Sequence, residues 1–414
     1  MPPRDLALDR APDPSPHLHL AVALDGAGWH PAAWREPDAR PEALLTPSYW
    51  TDLVRQAEGG LLDLVTIEDG LALQSESSSH DDHRIDRVRG RLDAVLIAAR
   101  VAPATRRIGL VPTAIVTHTE PFHLSKAIAT LDYAAAGRAG VQVRISGRAD
   151  EAAHFGRRTI TPFTAADRAD LERPDVRARL ADAFAEAADY VEVLRRLWDS
   201  WEDDAEIRDV TTGRFVDRDK LHYIDFEGRF FSVKGPSITP RPPQGQPIVA
   251  ALGRTQIPYE FIASCADLGF VTPHSAEEAA GTVTRIRAAQ AGTGRSHIPG
   301  LFADILVFLE EDAAAARGRL SRLDDLAGRE FASDAEIFAG TPTELADLLQ
   351  AWQAVGLAGF RLRPGTLPYD LTQITEGLVP ELQRRGAFRA AYDAGTLRGH
   401  LGLARPVNRY AATA

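Results

Sequence analysis

The chain has 414 residues, 44% of them hydrophobic and 25% charged, with a formal net charge of −11. That size and balance suit a globular enzyme with an ample core, and the acidic surplus argues against nucleic acid or an anionic membrane as partner. A lone Cys265 excludes an intramolecular disulfide framework and any cysteine-rich metal site.

No apolar run approaches the ~18 residues needed to span a bilayer. The opening MPPRDLALDRAPDPSP carries prolines and charges where a secretory segment would be apolar, so residues 1–16 read as a mobile arm on a cytoplasmic protein. Residues 19–24 form a first strand, and residues 26–41 a long loop rich in Gly, Pro and Trp. A helix follows over residues 49–58, with Trp50, Leu53, Val54 and Ala57 on one face. Residues 61–67 are a nearly uninterrupted apolar run, of the kind buried on both faces in a parallel sheet, ending in Glu68 and Asp69. A polar loop runs to about residue 88, and residues 92–101 are helical.

Residues 105–156 carry the strongest local signal. Strand-like residues 108–112 lead into a polar loop, 113–119, and Pro121 opens a helix in which Phe122, Ile128 and Leu131 recur at helical spacing. Gly137 and Gly140 break it before a second strand, residues 141–145. Parallel strands joined by a helix place ligands just past their carboxyl ends, which puts Thr113, Thr117, His118 and Ser146 at a candidate site.

Residues 157–174 read as a Pro- and charge-rich connection and 175–198 as a long amphipathic helix. Residues 201–246 alternate polar and apolar residues between turn signals, an insertion of short antiparallel strands. Strands resume at 247–252, 268–271, 302–309 and 360–362. Helical patterns lie near 275–290, 311–328 with 342–355, and 370–385. Eight strands alternating with helices predict one (β/α)8 TIM barrel over residues 17–410, with loop insertions.

Several local signals have two readings. Gly253, Arg254 and Thr255 form a strand-to-helix turn whose free N–H groups suit phosphate, or an ordinary turn with Thr255 as helix cap. His118 could position substrate or move a proton, or simply be a solvated loop histidine. Glu68 and Asp69 point to opposite faces, so they cannot form a glycosidase carboxylate pair with each other. His80, Asp81, Asp82 and His83 lie in a loop with nothing to fix ligand geometry, so no metal site is expected. Trp29, Trp34, Trp198 and Trp201 read as packing, His19 as structural, and Glu202, Asp203 and Asp204 as a solvated face.

Nearly the whole chain resembles the bacterial luciferase-like flavin monooxygenase superfamily, and within it the nitrilotriacetate monooxygenase and pristinamycin synthase group. The resemblance rests on GWHPAAWREP (28–37), LLDLVTIEDG (61–70), ATRRIGLVPTA (104–114), THTEPFHLSKAIATLDYAAAGRAG (117–140), LWDSWEDDA (197–205), FFSVKGP (230–236) and the closing PELQRRGAFRAAY and TLRGHLGL. It implies a barrel that binds reduced FMN, delivered by a separate NAD(P)H:flavin reductase, and oxidises a small molecule with O2, commonly as a homodimer. It puts Asp69 against the flavin, Thr117 and Ser146 among the cofactor contacts, the phosphate at Gly253, Arg254 and Thr255, and His118 and His30 at the mouth as catalytic candidates; Thr113 joins the cofactor contacts by its place at the end of the third strand.

The chain departs from the family pattern at Ile115, Val116, Val141, Gln142, Ile145, Phe184 and Pro258, where polar or aromatic groups are replaced. The leading reading is an FMNH2-dependent two-component monooxygenase. The departures leave two alternatives: a barrel that has lost flavin chemistry and serves as a ligand-binding or scaffold protein, and a deazaflavin-dependent oxidoreductase.

Overall fold

The computed structural model describes residues 17–75, 82–295 and 299–411. The arm expected over residues 1–16 lies outside them, as do His80 and Asp81. The apolar runs form strands β1 (His19–Leu24), β2 (Leu64–Ile67), β3 (Gly109–Ile115) and β4 (Gly140–Arg144), parallel neighbours in chain order. Two antiparallel pairs follow: β5 (Glu206–Asp209) with β6 (Arg214–Val216), and β7 (Phe226–Glu227) with β8 (Ser232–Val233). Parallel strands then resume as β9 (Ile248–Gly253), β10 (Leu268–Val271), β11 (Gly300–Leu309), β12 (Glu336–Gly340) and β13 (Gly359–Pro364). Pairing of β4 with β9, β10 with β9 and β11, and β13 with β11 and β1 closes eight of them into a barrel.

The helices are α1 (Pro47–Gly59), α2 (Ala94–Val101), α3 (Pro121–Ala134), α4 (Ala149–Phe155), α5 (Ala165–Ala169), α6 (Pro174–Asp199), α7 (Gln256–Cys265), α8 (Ala276–Ala291), α9 (Ala313–Ala327), α10 (Pro342–Gln353), α11 (Tyr369–Thr372), α12 (Val379–Arg384) and α13 (Leu397–His400). Local chemistry sets their ends. Thr46 caps α1 by accepting from the Tyr49 N–H, with Pro47 preorganised in the first turn, and α1 buries Tyr49, Trp50, Leu53, Val54 and Ala57. Thr341 and Glu344 close a capping box at the start of α10. None of the described helices is long and apolar enough to cross a membrane.

Three features differ from the sequence reading. First, β12 is a ninth parallel strand outside the barrel. β11 is long enough to pair with β10 along its first half and with β12 along its second. The sequence of β12, EIFAG, is half-exposed and lacks the apolar run that marks the others. Second, the connection after β4 contains α4 and α5, helices too short for their periodicity to register. Third, the acidic run at 202–204 faces solvent as read, with Asp203 and Asp204 exposed, but each of its carboxylates also makes an ion pair. Glu202 pairs with His222 at 2.8 Å, Asp203 with Arg241 at 2.7 Å and Arg405 at 2.5 Å, and Asp204 with Lys220. The four tryptophans expected to pack do so, each donating its indole N–H to a backbone carbonyl.

Alternation along the strands sends every second side chain into the barrel. The lower interior is apolar: Ala21, Leu64, Val111, Ile248, Ala250, Leu268, Phe270 and Phe302 cluster there, and Leu397 of α13 plugs the amino end. A Cβ at Gly109 would collide with the Leu397 side chain, so the plug requires glycine at that point. Leu397→Ala should therefore open a cavity that the closed barrel cannot collapse around. We expect it to lower the unfolding free energy by about 3 kcal/mol in urea titration; a loss below about 1 kcal/mol would show that α13 does not seal the barrel.

Candidate active site

One layer above the apolar floor, Thr66, Gln142, Asp304 and Arg361 meet in a polar network. Arg361 donates to both carboxylate oxygens of Asp304 at 2.8 and 2.5 Å, and its guanidinium lies 3.8 Å from the centre of the Phe270 ring. Arg363, two residues on and facing the same way, also donates to Asp304 and reaches Asp334 at 2.7 Å, and its guanidinium stacks on Trp29 at 4.5 Å. Asp334 in turn binds Arg254 at 2.5 Å. Arg361 and Arg363 are 1% and 2% exposed and Asp304 is fully buried, so each charge is stable only because it is paired.

Above this network opens a cavity of about 760 Å³, within the range of small-molecule and cofactor sites. It sits past the carboxyl ends of β1 to β4 and β9, where parallel barrels place their chemistry. Ile115, Val116, Leu252 and Phe261 give it apolar walls, and Phe163, Leu171, Leu180 and Phe184 roof it from the connection after β4 and from α6. Phe184 packs on Phe261 with ring centres 5.4 Å apart.

The structure brings four of the nine residues singled out in the sequence to this wall: Asp69, Ser146, Arg254 and Thr255. Asp69 accepts from the Gly70 N–H at 2.7 Å and, across the loop, from the Ala94 N–H at 2.9 Å, so it caps α2 while facing the cavity. Burial pushes its pKa up, against those hydrogen bonds. The Ser146 hydroxyl accepts from the Arg148 N–H at 3.2 Å. Thr255 stands at the N-cap of α7 with extended backbone, but its hydroxyl makes no capping bond, and α7's first N–H groups are left for a ligand or water. Arg254 is half-exposed at the rim.

The other five lie off the wall. Thr113 points into the barrel with its hydroxyl buried and unpartnered. Thr117 accepts from the Ser146 N–H at 2.8 Å, tying the loop after β3 to the end of β4. At Gly253 a Cβ would come within 2.8 Å of Ile262, so glycine lets β9 turn tightly into α7. His118 is buried, stacked on Phe155 at 5.4 Å, and its Nε2 has no partner among the described residues; burial lowers its pKa. His30 packs against Phe308 and Phe331, its Nδ1 accepts from the Ala32 N–H, and its Nε2–H therefore donates to Asp324 at 3.1 Å. Burial lowers the pKa of His30 too.

Asp82 of the dismissed metal motif pairs with Arg89 at 2.8 Å, and no group of three or more metal-ligating side chains occurs among the described residues. Sequence reading missed Arg361, Arg363, Asp304 and Asp334. One signal was available. FRLRP puts two arginines on the same face of an apolar strand, and a lone Asp304 interrupts LFADILVFL, a matched set of inward charges.

Burial disfavours the charged form of Asp334, but Arg363 and Arg254 outweigh it and hold the pKa at about 2. A carboxylate depressed in the folded state adds stability above its unfolded pKa and loses it as pH falls through the folded one. The wild type should thus lose roughly 2 kcal/mol from this group between about pH 4 and pH 2. Acid titration of unfolding should show a shallower decline in Asp334→Asn; parallel curves would contradict this assignment.

Residues 29–336 match the profile of the family described as luciferase-like monooxygenase. The chain is 31% identical to N-acetyl-S-(2-succino)cysteine monooxygenase of Bacillus subtilis (strain 168), covering 95% of this chain and 98% of that one. It is 30% identical to nitrilotriacetate monooxygenase component A of Aminobacter aminovorans, with the same coverage. A crystal structure of long-chain alkane monooxygenase superposes with a TM-score of 0.79 at 24% identity, over 93% of this chain and 95% of that one.

Proposed function

The chain belongs to the luciferase-like monooxygenase family, and from that premise we propose that it is the oxygenase component of a two-component system. In this reading it takes reduced FMN from a separate NAD(P)H:flavin reductase and uses O2 to oxygenate a small organic molecule in the barrel's mouth. The observation that carries the proposal is the donor set at one end of an apolar-walled cavity. The Arg254 guanidinium, the uncommitted Thr255 hydroxyl and the N-terminal N–H groups of α7 converge where a phosphate would be held. The residues present therefore fit the cofactor.

Arg254 and Thr255 would hold the phosphate, with Ser146 beside them and Gly253 letting the backbone approach. Ile115, Val116, Phe184 and Phe261 would flank the ring system. Bound reduced flavin supplies the electrons that activate O2; the protein orients and excludes water. Gln142 is oriented by charge. Arg361 can only donate, so it fixes the Gln142 Oε1 at 2.5 Å and leaves the amide NH2 as a donor at the cavity floor. Asp69, Thr113 and Thr117 shape the wall and the layer behind it.

His118, behind the wall and with Nε2 unpartnered among the described residues, is the residue we assign to proton transfer, once its ring turns off Phe155 toward the cavity. His30 supports the mouth by holding Ala32 and Asp324. The family resemblance is the support for a homodimer. The test supplies the protein with reductase, NADH, FMN and isotopically labelled O2, and screens small organic acids, sulfides and alkanes. One labelled oxygen atom in a product supports the reading; flavin reoxidation with no labelled product across the screen counts against it.

A further inference from the structure

We propose that Arg144 recognises a carboxylate on the molecule that is oxidised. Arg144 ends β4 two residues after Gln142 and so shares its inward-facing side. Other guanidiniums on the cavity wall each have a carboxylate within 3.2 Å: Arg91 has Asp25, Arg148 has Asp150, Arg361 and Arg363 form their network, and Arg254, assigned to the phosphate, also has Asp334. Among the described residues, Arg144 has only the Asp69 carbonyl at 3.4 Å and Glu68 at 3.9 Å. Glu68 is shared with the buried Arg361, to which it lies nearer, at 3.6 Å.

The Arg144 side chain is 54% exposed, beside apolar Ile115, Ile145 and Phe184. A cation held there without a close counter-ion is suited to an incoming anion, which it can bind bidentately. Arg144 ends β4 and Arg254 follows the neighbouring strand β9, with the Arg144 contacts turned toward the end of β2. Arg144 thus adds a second anion-recognition point beside the phosphate end, and it selects small organic acids over neutral molecules.

That the carboxylate belongs to the molecule being oxidised rests on the monooxygenase reading; the anion site itself stands without it. The test titrates the full-length protein at low ionic strength with succinate and citrate, and with succinamide as the uncharged control, by calorimetry. FMN and riboflavin are titrated in parallel. We expect carboxylate binding that weakens at least about tenfold in Arg144→Ala and is largely kept in Arg144→Lys, with no matching effect on succinamide or on either flavin. Circular dichroism and the thermal midpoint should be unchanged, because the side chain is exposed and loosely held. Equal carboxylate affinity in wild type and Arg144→Ala would overturn the proposal, as would no carboxylate binding at millimolar concentrations. Loss of FMN but not riboflavin affinity in Arg144→Ala would overturn it as well, since the cation would then serve the phosphate. Carboxylate binding without any FMN binding would strike the flavin reading alone.

Discussion

Replacing Asp304 by asparagine is expected to cost about 3–5 kcal/mol of stability, although the two side chains are nearly the same shape. Asp304 receives both Arg361 and Arg363 inside the barrel, and neither guanidinium can reach water. Arg361 would keep Gln142, Thr66, the Phe270 ring and Glu68 at 3.6 Å, which Arg144 shares, and Arg363 would keep Asp334. What remains is more positive charge than the layer can balance, in a medium that screens poorly. Urea titration of the single variant reads the cost directly. Replacing the set together, with Asp304→Leu, Arg361→Leu and Arg363→Met, should cost less than Asp304→Asn alone, because Asp334 keeps Arg254, Glu68 keeps Arg144, and no buried guanidinium is left without its carboxylate. If the single variant loses under about 1 kcal/mol, the layer is wetter than the geometry indicates. The same substitution should loosen Gln142, since Arg361 would lose the partner that aims it.

The second large effect concerns cofactor discrimination. In Arg254→Ala combined with Thr255→Ala, affinity for FMN should fall on the order of a hundredfold, from the loss of a charge-assisted and a neutral hydrogen bond. Affinity for riboflavin, which lacks the phosphate, should hardly change. Stability should survive, because the Thr255 hydroxyl makes no capping bond and Asp334 keeps Arg363. Equal losses for the two flavins would move the phosphate elsewhere.

Much of the barrel was legible because its strands announce themselves as short, buried apolar runs bounded by glycine and proline. The strand β12 was not, for a physical reason: only Gly340 of its five residues is buried, so nothing in its composition separates it from a loop. Missing β12 hid Asp334, which ends the connection into it and joins Arg254 to Arg363. The carboxyl-end loops could be read as a site, and Asp69, Ser146, Arg254 and Thr255 do gather there. His30 shows the limit. Its loop was correctly read as following β1, but its partners Asp324 and Phe331 arrive from some three hundred residues away, and nothing local foretells them. The ionic layer fails to show for a similar reason. Strand parity says which side chains point inward, but only closure of the barrel brings Gln142 of β4 to Arg361 of β13.

The central claim is that this barrel holds reduced FMN by its phosphate. Anaerobic titration of the purified protein with photoreduced FMN, followed by calorimetry, tests it most directly. The account predicts micromolar binding that weakens sharply when Arg254 and Thr255 are replaced by alanine. No detectable binding at high protein concentration would contradict it, and would turn attention to a deazaflavin or to a barrel that binds ligands without flavin chemistry.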